Sequence, residues 1–123
     1  MSKKGFRELN VWQKAKDLAV AVYRVTDNGA LRKDFGLRDQ MRRSAVSIAS
    51  NLAEGDERET DKEAVRFFYV AKGSLAELRT QLQISLETGQ LGMESYDLLE
   101  HDCQRLGQML GKLIQARSTS LHQ

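Results

Sequence analysis

A chain of 123 residues, 41% hydrophobic and 29% charged, suits one domain around one core, and it holds no apolar run near the ~18 residues that a membrane span requires. The formal net charge of +2 is too small to mark a nucleic-acid binder by itself, and the single cysteine, Cys103, excludes an intramolecular disulfide and a cysteine-based zinc site. The opening MSKKGFREL lacks the apolar stretch of a signal peptide, so the expected location is cytoplasmic, away from any membrane.

No proline occurs, which permits long uninterrupted helices. The spacing of Val11, Trp12, Ala15, Leu18, Ala19, Val22 and Val25 predicts a first helix over about 10–28, opened by an Asn10-x-x-Gln13 capping box and stopped at Asp27-Asn28-Gly29. A second helix is predicted over about 36–54 with Asp34 as its N-cap, followed by the charged turn DERE at 56–59. Thr60-Asp61-Lys62-Glu63 is a full capping box that opens a third helix over about 61–88. Its apolar set (Ala64, Phe67, Phe68, Ala71, Leu75, Leu78, Leu82, Leu86) is widened by Val65, Tyr69, Val70 and Ile84, so this helix calls for neighbours on two sides, with close packing at Gly73. A fourth helix over about 94–117 carries Leu99, Cys103, Leu106, Leu110, Leu113 and Ile114, and the tail STSLHQ at 118–123 is expected to be disordered. Four amphipathic helices with short connections predict an all-α, up-down-up-down antiparallel four-helix bundle, a single domain over 1–117.

Charge is unevenly distributed. Residues 1–33 carry eight Lys or Arg against three acids, so any basic patch for nucleic acid centres on Lys3, Lys4, Arg7, Lys14, Lys16, Arg24, Arg32 and Lys33. A second feature is the polar stripe beside the core stripe of the second helix: Gln40, Arg43, Ser47, Asn51 and Glu54, with Ser44 among them. The third helix answers with Ser74, Glu77, Gln81, Ser85 and Thr88. If these two helices pair about a turn near Arg58, Arg43 lies near Ser74 and within reach of Glu77, and Gln40 also approaches Glu77. Three readings compete: a solvated face, a buried register-setting network, or a ligand site. Richness in Ser, Asn and Gln rather than Lys and Glu favours the network.

The strings FGLRDQMRRSAVSIASNLAEG (35–55), Arg58 and FFYVAKGSLAELRTQL (67–82) resemble the four-helix-bundle proteins encoded in intervening sequences of 23S ribosomal RNA genes. The opening FRELNVWQKAKDLAVAVY (6–23) fits that family's start, and the resemblance extends over about 6–117. Two departures are visible: the first loop reads Asn28-Gly29-Ala30-Leu31 where the family usually has a proline, and Leu52 stands for the more usual isoleucine. The resemblance implies a bundle that assembles as a ring, often a pentamer. A related branch, the accessory variability protein of diversity-generating retroelements, is similar in fold, forms a basic pentamer, and binds nucleic acid and a reverse transcriptase.

Catalysis finds little support in the residues. Only His101 and His122 are present, with no paired metal ligands and no Gly-rich phosphate loop, and neither Ser47 nor Ser74 has a histidine placed as its base. Cys103 falls on the core stripe. The expectation is a non-enzymatic protein without cofactor or metal. It would be an oligomeric adaptor binding RNA or DNA weakly and non-specifically, or alternatively a scaffold partnering a reverse transcriptase.

Overall fold

The computed structural model describes residues 5–120. A 3-10 turn at Phe6–Glu8 leads into five helices: α1 (Asn10–Thr26), α2 (Gly29–Lys33), α3 (Phe35–Asp56), α4 (Asp61–Glu87) and α5 (Met93–Ser120). The four long ones form the all-α antiparallel bundle that the periodicity predicts. α3 packs on α1 and α4, and α5 closes the square by packing on α4 and α1.

The caps explain where the helices begin. Asp34 accepts Leu37 N at 3.1 Å, and Thr60 accepts Glu63 N at 3.2 Å, as their sequence patterns indicate. Asn10 does not cap α1. The 3-10 turn runs directly into the helix, Leu9 becomes the N-cap with no side-chain cap bond, and Gln13 Nε2 reaches back to the Arg7 carbonyl at 2.7 Å. α1 also ends at Thr26, whose hydroxyl bonds to the Val22 carbonyl at 2.7 Å. The segment after it, expected as a plain loop, is the short α2. Gly29 supplies the positive φ of 61° at its start, and Leu31 is wholly buried beneath it.

The core is a continuous set of side chains from every helix, including Val22, Leu31, Met41, Ile48, Leu52, Phe68, Leu78, Leu82, Leu106 and Leu110. Phe68 sets the register of α3 against α4. Its ring lies where a Cβ on Gly55 would stand, 2.6 Å from that position. With Phe68 seated there, the level partner of Ser74 is Ser47, one turn along from the Arg43 that a turn centred on Arg58 would place there. At the same end, Arg117 of α5 donates to Asp56 and to Asp61, both at 3.1 Å, with its guanidinium 5.6 Å from the Phe68 ring centroid. This anchor near its end accompanies the continuation of α5 through Ser120, so residues 118–120 are helical rather than part of a disordered tail. Lys3, Lys4, residues 121–123 and hence His122 lie outside the described residues.

Candidate interaction surfaces

The polar stripe divides into an inner and an outer part. Ser47 Oγ and Ser74 Oγ lie 2.8 Å apart, and Asn51 Nδ2 donates to Ser47 Oγ at 3.0 Å and to its carbonyl at 2.8 Å. Ser44, Ser74, Gln81 and Ser85 are buried, and Ser85 Oγ donates to the Gln81 carbonyl at 2.8 Å. Gln81 Oε1 has no hydrogen-bond partner among the described residues. Gln40, Arg43, Glu54 and Glu77 stay exposed on the single chain. Arg43 and Glu77, expected within reach of each other, form no ion pair among the described residues, and Glu54 sits 3.7 Å from Arg58 instead. Ser47 and Ser74 bond to each other through their hydroxyls, and no histidine among the described residues bonds to either.

Among the described residues, the basic side chains of the N-terminal third are not gathered on one face. Lys14 lines a crevice between α1 and α5 with Asp17, Asp102 and Arg105. Lys16 pairs with Asp17 at 2.7 Å. Arg7 lies over the Phe6 ring at 4.8 Å, near the start of α1, and Phe6 meets Trp12 edge-on at 5.1 Å. Arg32 and Lys33 are exposed on α2, at the opposite end of α1.

A denser cationic corner forms where α1, α2 and α3 meet, and it includes two arginines that charge counting over the first 33 residues left out. Arg38 lies over the Phe35 ring at 4.8 Å, donates to the Arg32 carbonyl at 3.1 Å, and pairs through Nε with Asp39 at 3.0 Å. Arg42 lies over the Tyr23 ring at 4.6 Å, with Nε donating to Thr26 Oγ1 at 2.9 Å. Phe35 is 64% exposed and Tyr23 45%. The alternation of arginine with exposed aromatics was the available signal: Tyr23-Arg24, then Phe35 to Arg38 one helical turn apart.

Beside this corner an open groove of about 690 Å³ runs between α1 and α3. Its walls are apolar, with Trp12, Val20 and Tyr23 from α1 and Val46, Ala49 and Ala53 from α3, while Lys16 and Arg24 stand on its rim. No group of three or more His, Cys, Asp or Glu among the described residues is placed to hold a metal ion. Cys103 is fully buried, and burial pushes its thiol up to about 12. None of the helices among the described residues is long and apolar enough to cross a membrane.

Residues 7–112 match the family model described as 23S rRNA-intervening sequence protein. The chain belongs to that family. A crystal structure of a protein of unknown function from the S23 ribosomal protein family of Bacteroides thetaiotaomicron is similar in fold, with a TM-score of 0.78 at 22% identity. The alignment covers 85% of this chain and 97% of that one. None of the curated proteins compared matches the chain. In this intervening-sequence protein, the residues that carry the resemblance have distinct tasks. Gly55 seats Phe68; Ser47, Asn51 and Ser74 join α3 to α4; Arg43 and Glu77 face outward.

Proposed function

We propose that this protein is a non-enzymatic, self-associating adaptor that binds RNA or DNA weakly and without sequence preference, as a ring of several copies with five the expected number. The observation that carries the reading is the corner at α1, α2 and α3. Arg32, Lys33 and Arg42 supply cations for phosphates, with Arg38 paired to Asp39, and exposed Phe35 and Tyr23 each offer the ring face that their arginine leaves uncovered to bases. A ring would repeat this modest patch and turn weak single contacts into useful avidity. The absence of a catalytic role is supported by hydroxyls bonded to each other at Ser47 and Ser74 and by a thiol that burial keeps protonated.

The test is fluorescence anisotropy with a labelled single-stranded RNA and the matching DNA across a salt series. Binding at low salt that falls steeply as salt rises is the expected result. No affinity for either strand at the lowest salt removes the nucleic-acid reading. A second reading, a scaffold that partners a reverse transcriptase, is favoured by the apolar α1–α3 groove. It gains ground if the assembled protein ignores nucleic acid and leaves the groove open.

A further inference from the structure

We infer that the groove between α1 and α3 receives the outward ridge of α4 from a second copy of this chain, an inference that rests on the self-association reading above. The groove has a floor of small residues, Ala19, Ala49 and Ala53, flanked by the exposed Val20 and Val46. Small floors of this kind let a helix backbone approach closely, and an amphipathic helix lays its apolar face in such a groove. The chain presents a helix face that fits. Val70, Gly73, Ala76, Glu77, Thr80 and Ile84 recur along α4 at helical spacing, and all are exposed. Val70 and Ile84 are 53% and 46% exposed, on a helix already packed on α3 and α5.

Gly73 is the informative residue of that ridge. Glycine inside a helix is unfavourable relative to alanine, and its lack of a side chain lets another backbone come close. A Cβ at Gly73 would meet nothing within 4 Å in the same chain, so no intramolecular neighbour accounts for it. Lengths agree: the ridge from Val70 to Ile84 spans roughly 21 Å and the groove wall from Trp12 to Arg24 roughly 18 Å, at ~1.5 Å rise per residue. Charges agree as well. Arg24 and Lys16 stand on the groove rim, and Glu77 is the charged residue of the ridge. Neither Arg24 nor Glu77 has an ion-pair partner among the described residues of its own chain. Groove and ridge lie on different sides of the bundle, so each copy offers both, and the contact is head-to-tail, the type that closes into rings.

Light scattering on two charge insertions tests the pairing. Val46→Glu disables the groove and Val70→Glu the ridge; both positions are exposed, so helicity by circular dichroism is expected to stay unchanged. Each variant alone is expected to be monomeric. Their equimolar mixture is expected to form dimers and go no further, because the intact ridge of one variant fits the intact groove of the other. Wild-type protein that is itself monomeric overturns the self-association reading and this inference with it. Wild-type rings with both variants still assembled overturn only the choice of faces. Two monomeric variants that do not rescue each other overturn the groove-to-ridge pairing, and variants that each stop at dimers overturn it in favour of each face meeting its own kind. A cysteine pair gives a second readout that does not depend on monomerisation. Val46→Cys and Ala76→Cys in one chain are expected to yield oxidised ladders, each change alone none, and buried Cys103 does not compete. Ladders from either single variant, or none from the pair, count against the assignment.

Discussion

At Gly55 the space for a side chain is already taken. A Cβ there would stand 2.6 Å and 2.9 Å from two carbons of the Phe68 ring and 3.1 Å from the Ala64 carbonyl oxygen, and Phe68 is fully enclosed by the core. Gly55→Ala is therefore expected to cost about 1–3 kcal/mol by overpacking, read as a lower midpoint in urea at an unchanged slope. An unchanged midpoint would mean that the ring shifts freely and does not set the register. The next residue is held differently. Asp56 is 1% exposed and accepts from Arg117, whose side chain is 16% exposed and also reaches Asp61. Asp56→Ala removes one of the two carboxylates that neutralise Arg117 and leaves Asp61 with it, so a loss of about 1–3 kcal/mol is expected in the same denaturation experiment. A double change that replaces both Asp56 and Arg117 by apolar residues should recover much of that loss. These two tasks differed in how well the sequence advertised them. Gly55 read as the end of a helix, which is close to its place. Asp56 read as one more charge in DERE, because the partner that buries it lies 61 residues away.

Between elements, the clearest polar strut joins α4 to α5. Arg79 donates Nε to Glu100 Oε1 at 3.1 Å and Nη2 to Oε2 at 2.7 Å, and Gln104 adds a third donor at 3.3 Å. The hydrogen bonds from Arg79 hold the Glu100 carboxyl below the usual carboxylate range and outweigh the opposing effect of burial. A carboxylate with a depressed pKa in the folded state contributes stability above its unfolded pKa and loses it as pH falls through the folded one. Glu100→Gln is accordingly expected to destabilise the protein slightly at neutral pH, by about 1 kcal/mol, because the Arg79 half of the pair is exposed and screened by solvent. The difference from wild type should vanish once the pH drops below the folded pKa of Glu100; a gap that persists unchanged into acid would assign the effect to packing. Element by element, periodicity and capping chemistry revealed the long helices, because a stripe of apolar residues and a Thr-x-x-Glu box are local signals. The five-residue α2 escaped, being too short for a period of 3.6 to show. The α3–α4 offset escaped because it depends on how Phe68 meets Gly55, a contact that a turn-centred count of residues does not contain.

For the whole molecule, the proposed assembly groove and the proposed nucleic-acid corner adjoin at Tyr23, and the independence of their other residues can be measured. The bundle was legible from composition and pattern alone, but the cationic surface was not. The six described basic residues among the first 33 are spread from the 3-10 turn along α1 and α2, and the corner that concentrates charge borrows Arg38 and Arg42 from α3. Replacing Arg32 and Lys33 by alanine removes two exposed cations from that corner without touching the core, the groove or the ridge. The expected result is unchanged mass in light scattering and weaker binding to single-stranded RNA, with the salt slope reduced by ~0.7 for each phosphate that is no longer neutralised. Val46→Glu should do the reverse. It leaves the corner intact on each copy but deprives the proposed ring of its repeated patch, so the loss of affinity should be large on a long strand and small on one that spans a single site. Equal losses on long and short strands would mean that each copy binds alone and that assembly serves another purpose. Loss of mass in the Arg32→Ala, Lys33→Ala variant would place the corner within the subunit contact, and the two surfaces would then have to be treated as one.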